Sequence, residues 1–259
     1  MSIGDAEIKT QERVIRFFKD PEILGYQYIG NLSDYQNKNI KEDRLRQYLR
    51  LKGYADKLID AAIMQLQQEA GNLSRGVYDA NKTVYSRLKY GIPVSESPEK
   101  PPVTVQLVDE EKPLNNDFAI AEEVTVVEQS EKRPDLVVYL NGIAVAVIEL
   151  KRSSISVSEG IRQNLTNQKN SFIQSFFTTM QFCMAGNESE GLRYGTLLTG
   201  EKFYMEWKDD GFKEHEEERD PVDVRISKTC EGIENKLLKQ IYAMFDKERF
   251  IDLIMNFVV

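Results

Sequence analysis

The sequence has almost no histidine and very little cysteine. Its one histidine, His215, stands in the charged run KEHEEERD, and its two cysteines are Cys183 and Cys230. A single histidine in a solvated run argues against His-based zinc sites and against most Ser-His or Cys-His triads. Two cysteines are too few for a disulfide framework and fit buried thiols in a reducing compartment. Catalysis by this chain would therefore use carboxylates or amines.

Long apolar runs are also missing. No run approaches the roughly 18 residues that a membrane span needs, and the N-terminus MSIGDAEIKTQERV lacks the apolar centre of a secretion signal. The sequence therefore predicts a cytoplasmic protein with no membrane partner.

A basic excess is absent as well, because the formal net charge is -8. Proteins that bind nucleic acid alone usually carry an excess of Lys and Arg to neutralise phosphates. A DNA enzyme of this charge would need local clusters of cations, or partners that hold the DNA.

The chain has 259 residues, of which 41% are hydrophobic and 29% charged, and this balance is typical of a folded globular protein. The first ninety residues favour helices: Val14, Ile15, Phe17 and Phe18 form an apolar patch, and DKLIDAAIMQLQQEAG is amphipathic. A further helix is expected over 79–90, followed by a loop at SESPEKPP, residues 95–102. We therefore predict a helical part, 1–100, packed on a core, 101–259.

Strand patterns begin at residue 103. Runs rich in β-branched residues predict strands at VTVQLVD, DFAIAEEVTVVE, RPDLVVYL and IAVAVIELK. A helix entered at Ser156 or Ser158 is predicted over SVSEGIRQNLTNQKNSFIQSFF, with later strands at TTMQFCMA, LRYGTLLT and KFYMEWK. The run DDGFKEHEEERDP predicts a charged loop, and CEGIENKLLKQIYAMFDKERFIDLIMNF predicts one or two closing helices. The order of elements indicates an α/β fold.

Two charged residues end the most apolar strand of the chain. Glu149 and Lys151 close IAVAVIELK, and the two-residue period of a strand puts them on the same face. A strand that is apolar throughout is normally buried on both faces. Charged residues there need a bound metal, a salt bridge or access to solvent to offset the cost of burial. The alternative is a strand end that emerges into water, with Lys151 and Arg152 beginning a loop.

A third charged residue, Asp135, lies on the strand before. Asn141-Gly142 predicts a two-residue hairpin turn between the strands, which brings Asp135 close to Glu149. The simple register of that turn would make Asp135 face away from Glu149. A bulge or a three-residue loop would set the two acids opposite each other, and we expect such an irregularity.

Two carboxylates beside a lysine suit a hard cation, because Mg²⁺ takes oxygen ligands and typically binds one or two carboxylates together with substrate phosphate. A magnesium ion would polarise a scissile phosphate and acidify a water. Lys151 would orient that water or stabilise charge developing on the phosphate.

The residues RPD, 13 intervening positions and ELK resemble the pattern of the PD-(D/E)xK nuclease superfamily. The surrounding RPDLVVYLNGIAVAVIELKRS, with SEGIRQNLTNQ, MAGNESEGLRYGTLLT, FYMEWK and KERFIDLIMNF, is similar to the N-terminal region of type I restriction motor subunits. This resemblance runs from about Asn116 to the C-terminus. It implies a core with a mixed central sheet flanked by helices.

The resemblance also implies roles for particular residues. Asp135 and Glu149 would be Mg²⁺ ligands, the carbonyl of Leu150 a third ligand, and Lys151 the catalytic lysine. Together they would catalyse Mg²⁺-dependent hydrolysis of DNA.

Two further positions follow from related nucleases. These often carry a Gln-xxx-Tyr motif on the helix after the lysine, which contacts DNA near the active site. Gln163 matches its glutamine and would donate to a phosphate oxygen or to a catalytic water, and Asn167 stands in the place of the tyrosine. They also often place an acid on the first helix, for which Glu12 is the candidate, although a solvated helix residue is the better interpretation of Glu12.

The partners implied are double-stranded DNA, the modification and specificity subunits of a restriction complex, and helicase-like motor lobes that use ATP. No G-x-x-x-x-G-K-[ST] phosphate loop occurs in this chain, so ATP would bind elsewhere in the full subunit. The apolar end Met255–Val259 favours a chain cut at a domain boundary. Two alternatives stay open: a stand-alone repair or junction nuclease with the same core, and a non-catalytic docking module of the restriction complex.

Overall fold

The computed structural model describes residues 3–97, 99–208 and 220–258, and His215 with most of the predicted charged loop lies outside them. The α-helices are α1 (Ile3–Lys19), α2 (Glu42–Leu51), α3 (Asp56–Gly71), α4 (Val77–Tyr90), α5 (Val157–Asn167), α6 (Pro221–Glu231), α7 (Lys236–Phe245) and α8 (Lys247–Asp252). The strands are β1 (Gln27–Asn31), β2 (Ile92–Val94), β3 (Val103–Val105), β4 (Phe118–Glu122), β5 (Val126–Val127), β6 (Glu131–Lys132), β7 (Leu136–Leu140), β8 (Ile143–Leu150), β9 (Phe182–Asn187) and β10 (Gly191–Gly195).

A six-stranded sheet forms the centre of the fold, in the order β1-β4-β7-β8-β9-β10. The pairs β1 with β4 and β8 with β9 are parallel, and the other neighbours are antiparallel. The predicted α/β fold with a mixed central sheet is therefore confirmed. The pairs β2-β3 and β5-β6 form two small separate sheets.

Both faces of the sheet are covered, which explains why β7 and β8 are apolar and buried along their whole length. Val138 and Ile148 belong to a core cluster that includes residues of α1, α2, α3, α7 and α8. Their neighbours Val137 and Val147 belong to a second cluster, which includes Phe176 and Phe177. Helix α5 contacts β8 and β9. The alternation along each strand thus supplies apolar side chains to both layers.

The N-terminal part contributes a strand as well as helices. Strand β1 pairs with β4 at one edge of the central sheet, which the expectation of a helical first ninety residues missed. Val14 and Leu66 lie in the same core cluster as Ile148 and Phe245. The predicted division of the chain near residue 100 therefore crosses a shared core and stays a prediction.

Several predicted elements have different bounds. The run DFAIAEEVTVVE is split into β4 and β5 by Glu123, whose φ of 50° cannot continue a strand. The run VTVQLVD yields only the short β3, outside the central sheet. For KFYMEWK the predicted strand is wrong, because Glu201–Phe203 is a 3₁₀ helix and Met205 forms one isolated bridge to Tyr194.

The helix after Lys151 is shorter than predicted. It begins as expected with Ser156, whose side chain accepts from the backbone N–H of Ser158, and it ends at Asn167. The remaining residues of the predicted helix form a connection and the 3₁₀ helix Gln174–Thr179. The chain closes on α7 and α8, as predicted, with the unpredicted α6 before them. No helix in the described ranges has the length and apolar character needed to cross a membrane.

Candidate active site

The hairpin β7-β8 has the predicted irregularity. Asn141–Gly142 forms the two-residue turn with φ angles of 52° and 83°, which suits a hairpin turn with both central residues left-handed. A register shift lies between Val138 and Tyr139, so the pairs beyond it are offset by one residue. Continued to the end of the strand, this register sets Asp135 opposite Glu149, and the prediction is confirmed.

Glu149 is fully buried beneath α5. Its Oε2 accepts a hydrogen bond of 2.7 Å from Nε2 of Gln163. Its Oε1 is buried and has no hydrogen-bond partner among the described residues. An orphaned carboxylate oxygen in the interior is costly, so it marks a place where a cation fits.

A glycine allows α5 to lie this close to the site. A Cβ on Gly160 would stand 2.9 Å from the Cβ of Ala185 and 3.4 Å from the Cβ of Glu149. Any side chain there would push the helix away from β8 and β9, and with it Gln163. The position of Gln163 therefore depends on close packing between the helix and the sheet.

Asp135 is tied to the neighbouring strand by its carboxylate. The backbone N–H of Leu150 donates to Oδ2 of Asp135 at 2.7 Å. Burial raises the pKa of Asp135 from 3.8 to about 6, although Lys151 and the Leu150 N–H act against the rise. The nearby acids Glu123 and Glu7 raise the pKa further.

The pKa of Glu149 is also raised, well above its ordinary value, first by burial and then by the charge of Asp135. Two carboxylates this close cannot both ionise in the interior without a compensating positive charge. A bound cation would therefore stabilise the ionised forms of both carboxylates.

Lys151 supplies one positive charge beside the two acids, and only 15% of its side chain is exposed. Its Nζ lies 3.3 Å from Oε1 of Glu7 and donates to the carbonyl of Leu150 at 3.1 Å. Burial alone would lower the pKa of Lys151, but Asp135, Glu149 and Glu7 together raise it. The lysine is therefore an ammonium ion at neutral pH.

The acid of the first helix that reaches the site is Glu7. Glu12 is exposed and pairs with Arg16 at 3.7 Å, as the solvated interpretation expected. Sequence reasoning missed Glu7, yet a signal exists: seven and eleven residues later on the same helix face stand Val14 and Phe18, both fully buried. An acid that continues such an apolar stripe is exceptional and could have been singled out.

The structure brings Asp135, Glu149, Leu150, Lys151 and Gln163 together at one end of the sheet and leaves Glu12 outside. The alternative of a strand end emerging into water is wrong for Glu149, which is fully buried.

Asn167, which occupies the tyrosine position, is buried at the end of α5. Its backbone carbonyl accepts from the N–H of Ile173, so this position serves the connection after the helix.

Within the described ranges, no group of three or more His, Cys, Asp or Glu side chains is arranged to hold a metal ion. A cation at this end of the sheet would instead use the carboxylates of Asp135 and Glu149 and the carbonyl of Leu150. All three are hard oxygen donors, and Mg²⁺ binds such ligands while keeping several waters. The residues present therefore fit a magnesium ion.

Comparison with known protein families gives a match over most of the chain. Residues 7–203, more than half of the chain, match the family described as type I restriction enzyme R protein N terminus. A search of curated proteins finds no match. The matched range contains all of Asp135, Glu149, Leu150, Lys151 and Gln163, together with Glu7.

Proposed function

Because this chain belongs to the family of type I restriction enzyme R protein N termini, we propose that it is the Mg²⁺-dependent endonuclease domain of such a protein. Its substrate would be the phosphodiester bonds of double-stranded DNA. The observation that carries the proposal is the buried and unpartnered Oε1 of Glu149 beside Asp135 and Lys151. Lys151 donates to Glu7 and to the carbonyl of Leu150, so it does not satisfy this oxygen.

Each residue has a role in this proposal. Asp135, Glu149 and the Leu150 carbonyl would hold the metal, and a bound Mg²⁺ would polarise the scissile phosphate and acidify a water. The ammonium group of Lys151 would donate to the phosphate or to the attacking water. It would there stabilise the negative charge that develops during the reaction. Gln163 fixes the carboxylate of Glu149 through its 2.7 Å hydrogen bond.

The remaining parts of the reaction would come from partners. A chain of net charge -8 lacks the basic excess that usually holds DNA, so motor lobes elsewhere in the R protein, driven by ATP, would deliver the DNA. The modification and specificity subunits would choose the recognition site. The isolated chain would then bind DNA weakly and cut it slowly.

The test is cleavage by the assembled restriction complex with single substitutions in this chain. Asp135→Ala, Glu149→Ala and Lys151→Ala should each abolish cleavage and leave ATP hydrolysis nearly intact, because they act on the phosphate chemistry alone. Glu12→Ala, an exposed acid outside the site, is the matched control and should cut at the parental rate. Cleavage that persists in all three variants would refute the site and favour a docking module.

A further inference from the structure

Arg133 stands at the mouth of the site. It directly precedes Pro134-Asp135, and 51% of its side chain is exposed. The N–H groups of Glu123 and Val124 donate to the carbonyls of Asp135 and Pro134. Together with the contact between Arg133 and Glu123, this backbone pairing places Arg133 beside the residues that carry Asp135.

The guanidinium of Arg133 has only a loose partner. Its Nε lies 3.6 Å from Oε2 of Glu123, and it makes no hydrogen bond with any residue that the structure describes. Arg225, which is similarly exposed, instead pairs with Asp246 at 2.6 Å and with Glu248 at 2.7 Å. An arginine carries five N–H donors in a planar fork, so nearly all the hydrogen-bonding capacity of Arg133 is free.

Glu123 is held in place independently of Arg133. Its Oε1 accepts from Nε2 of Gln11 at 3.1 Å, and its backbone has a left-handed φ of 50°. A glutamate adopts this conformation only at a cost, so the surrounding structure enforces it. Glu123 is also close enough to raise the pKa of Asp135 and of Glu149. The pair of Glu123 and Arg133 therefore sits beside the metal-binding acids.

One more cation adjoins the site. Arg152 follows Lys151, and its side chain has no ion pair or hydrogen bond with residues in the described ranges. The Nζ of Lys132, by contrast, lies 4.8 Å from the ring centroid of Phe172, in the connection after α5. Arg133 and Arg152 are therefore two cations beside the site whose side chains have no hydrogen-bonded acidic partner within the described residues.

We propose that Arg133 is a DNA-binding residue that binds a phosphate next to the scissile one. When no DNA is bound, Glu123 holds the guanidinium of Arg133 beside Asp135 and Glu149. This inference rests on the proposed nuclease function. The fork of an arginine matches two phosphate oxygens, and a contact as long as 3.6 Å is readily exchanged for them.

The experiment measures binding of the full chain to a DNA duplex by fluorescence anisotropy, with Ca²⁺ in place of Mg²⁺ so that no cleavage occurs. Binding is compared between about 50 mM and about 200 mM salt, because each phosphate contact adds about 0.9 to the slope of log affinity against log salt. Arg133→Gln should weaken binding about tenfold and lower that slope by about one. Arg133→Lys, which keeps the charge but not the fork, should recover part of the loss.

The matched control is Arg16→Gln. Arg16 is also exposed and also paired loosely, with Glu12 at 3.7 Å, but it lies nine residues beyond Glu7 on α1, roughly 13 Å along the helix. The control should bind DNA nearly as the parent does. Equal losses in Arg133→Gln and Arg16→Gln, or no measurable binding by the parent chain at the lower salt, would overturn the assignment.

A second pair of variants tests the role of Glu123. Glu123→Gln should tighten DNA binding, and the gain should disappear when Arg133→Gln is also present. A gain that survives in the double variant would mean that Glu123 acts directly on the DNA and does not hold Arg133. Since cleavage is not measured, failure here is distinct from failure of the proposed function, which is decided by the Asp135, Glu149 and Lys151 variants.

Discussion

Glu149→Gln should stabilise the metal-free protein, although it removes a site residue. Glutamine has the shape of glutamate and keeps a carbonyl oxygen that can accept from Gln163 at the present 2.7 Å. Its amide nitrogen would replace the orphaned Oε1, next to the carboxylate of Asp135. The substitution therefore removes a buried charge and adds a donor where a metal ion would sit.

The size of the effect follows from the raised pKa values. A rise in the pKa of Asp135 from 3.8 to about 6 corresponds to about 3 kcal/mol when the group is ionised. Glu149 is more deeply buried, and its pKa is raised by burial and by the charge of Asp135. Allowing for relaxation of the site, we expect Glu149→Gln to add about 1 to 3 kcal/mol to the free energy of unfolding near pH 8.

The direction of the pKa shift decides whether stability rises or falls with pH. A carboxyl whose pKa is raised by folding contributes most to stability below its unfolded pKa, and this contribution is lost as pH rises through the folded pKa. For Asp135 that window lies between 3.8 and about 6. The stabilising effect of Glu149→Gln should accordingly be small near pH 4 and grow towards pH 8.

The assay is thermal unfolding in EDTA across this pH range. At pH 8 the variant should melt about 2 to 6 °C above the parent, whereas Glu12→Gln, at an exposed acid, should change little. Added Mg²⁺ should raise the melting temperature of the parent but not of Glu149→Gln. A variant that melts below the parent at pH 8 in EDTA would refute the reasoning, because Glu149 would then be stabilised by the protein alone.

Three further predictions concern the neighbourhood of the site. Gln163→Ala should slow cleavage by the assembled complex about ten- to a hundredfold without loss of metal binding, because only the orientation of a ligand changes. Gly160→Ala should lower the free energy of unfolding by about 1 to 3 kcal/mol in urea titrations, since its Cβ would stand 2.9 Å from that of Ala185; Gly71→Ala, with open space around it, should not. Mg²⁺ binding measured by calorimetry should weaken as pH falls below about 6, because Asp135 must lose its proton to bind the ion.

The catalytic strands could be predicted from the sequence because the relevant signals are local. The apolar run of β8, the Asn141-Gly142 turn and the need for Asp135 to meet Glu149 together required a one-residue bulge, and the register contains it. Alternating apolar residues indicate a strand that is buried on one face, and a continuous apolar run is consistent with burial on both faces. These local signals were sufficient to bring Asp135, Glu149 and Lys151 together, whereas Leu150 and Gln163 were singled out by the family resemblance and Glu7 was missed.

Other features depend on contacts between distant segments. Strand β1 reads QYIGN and is an edge strand with no fully buried residue, so its pairing with β4, about ninety residues later, decides its structure. Glu7 meets Lys151 across 144 positions of sequence. Arg133 and Glu123 come together only because the chain reverses through β5 and β6. The spacing of residues within a motif carries no information on such long-range contacts.

The most direct test of the central claim is a crystal of the chain soaked with Mn²⁺ and measured for anomalous scattering. We expect one strong peak bonded to Asp135, to Oε1 of Glu149 and to the carbonyl of Leu150, and no such peak in Glu149→Gln. A peak elsewhere, or none at this end of the sheet at a concentration that raises the melting temperature, would contradict the assignment of these residues as a metal-dependent nuclease site.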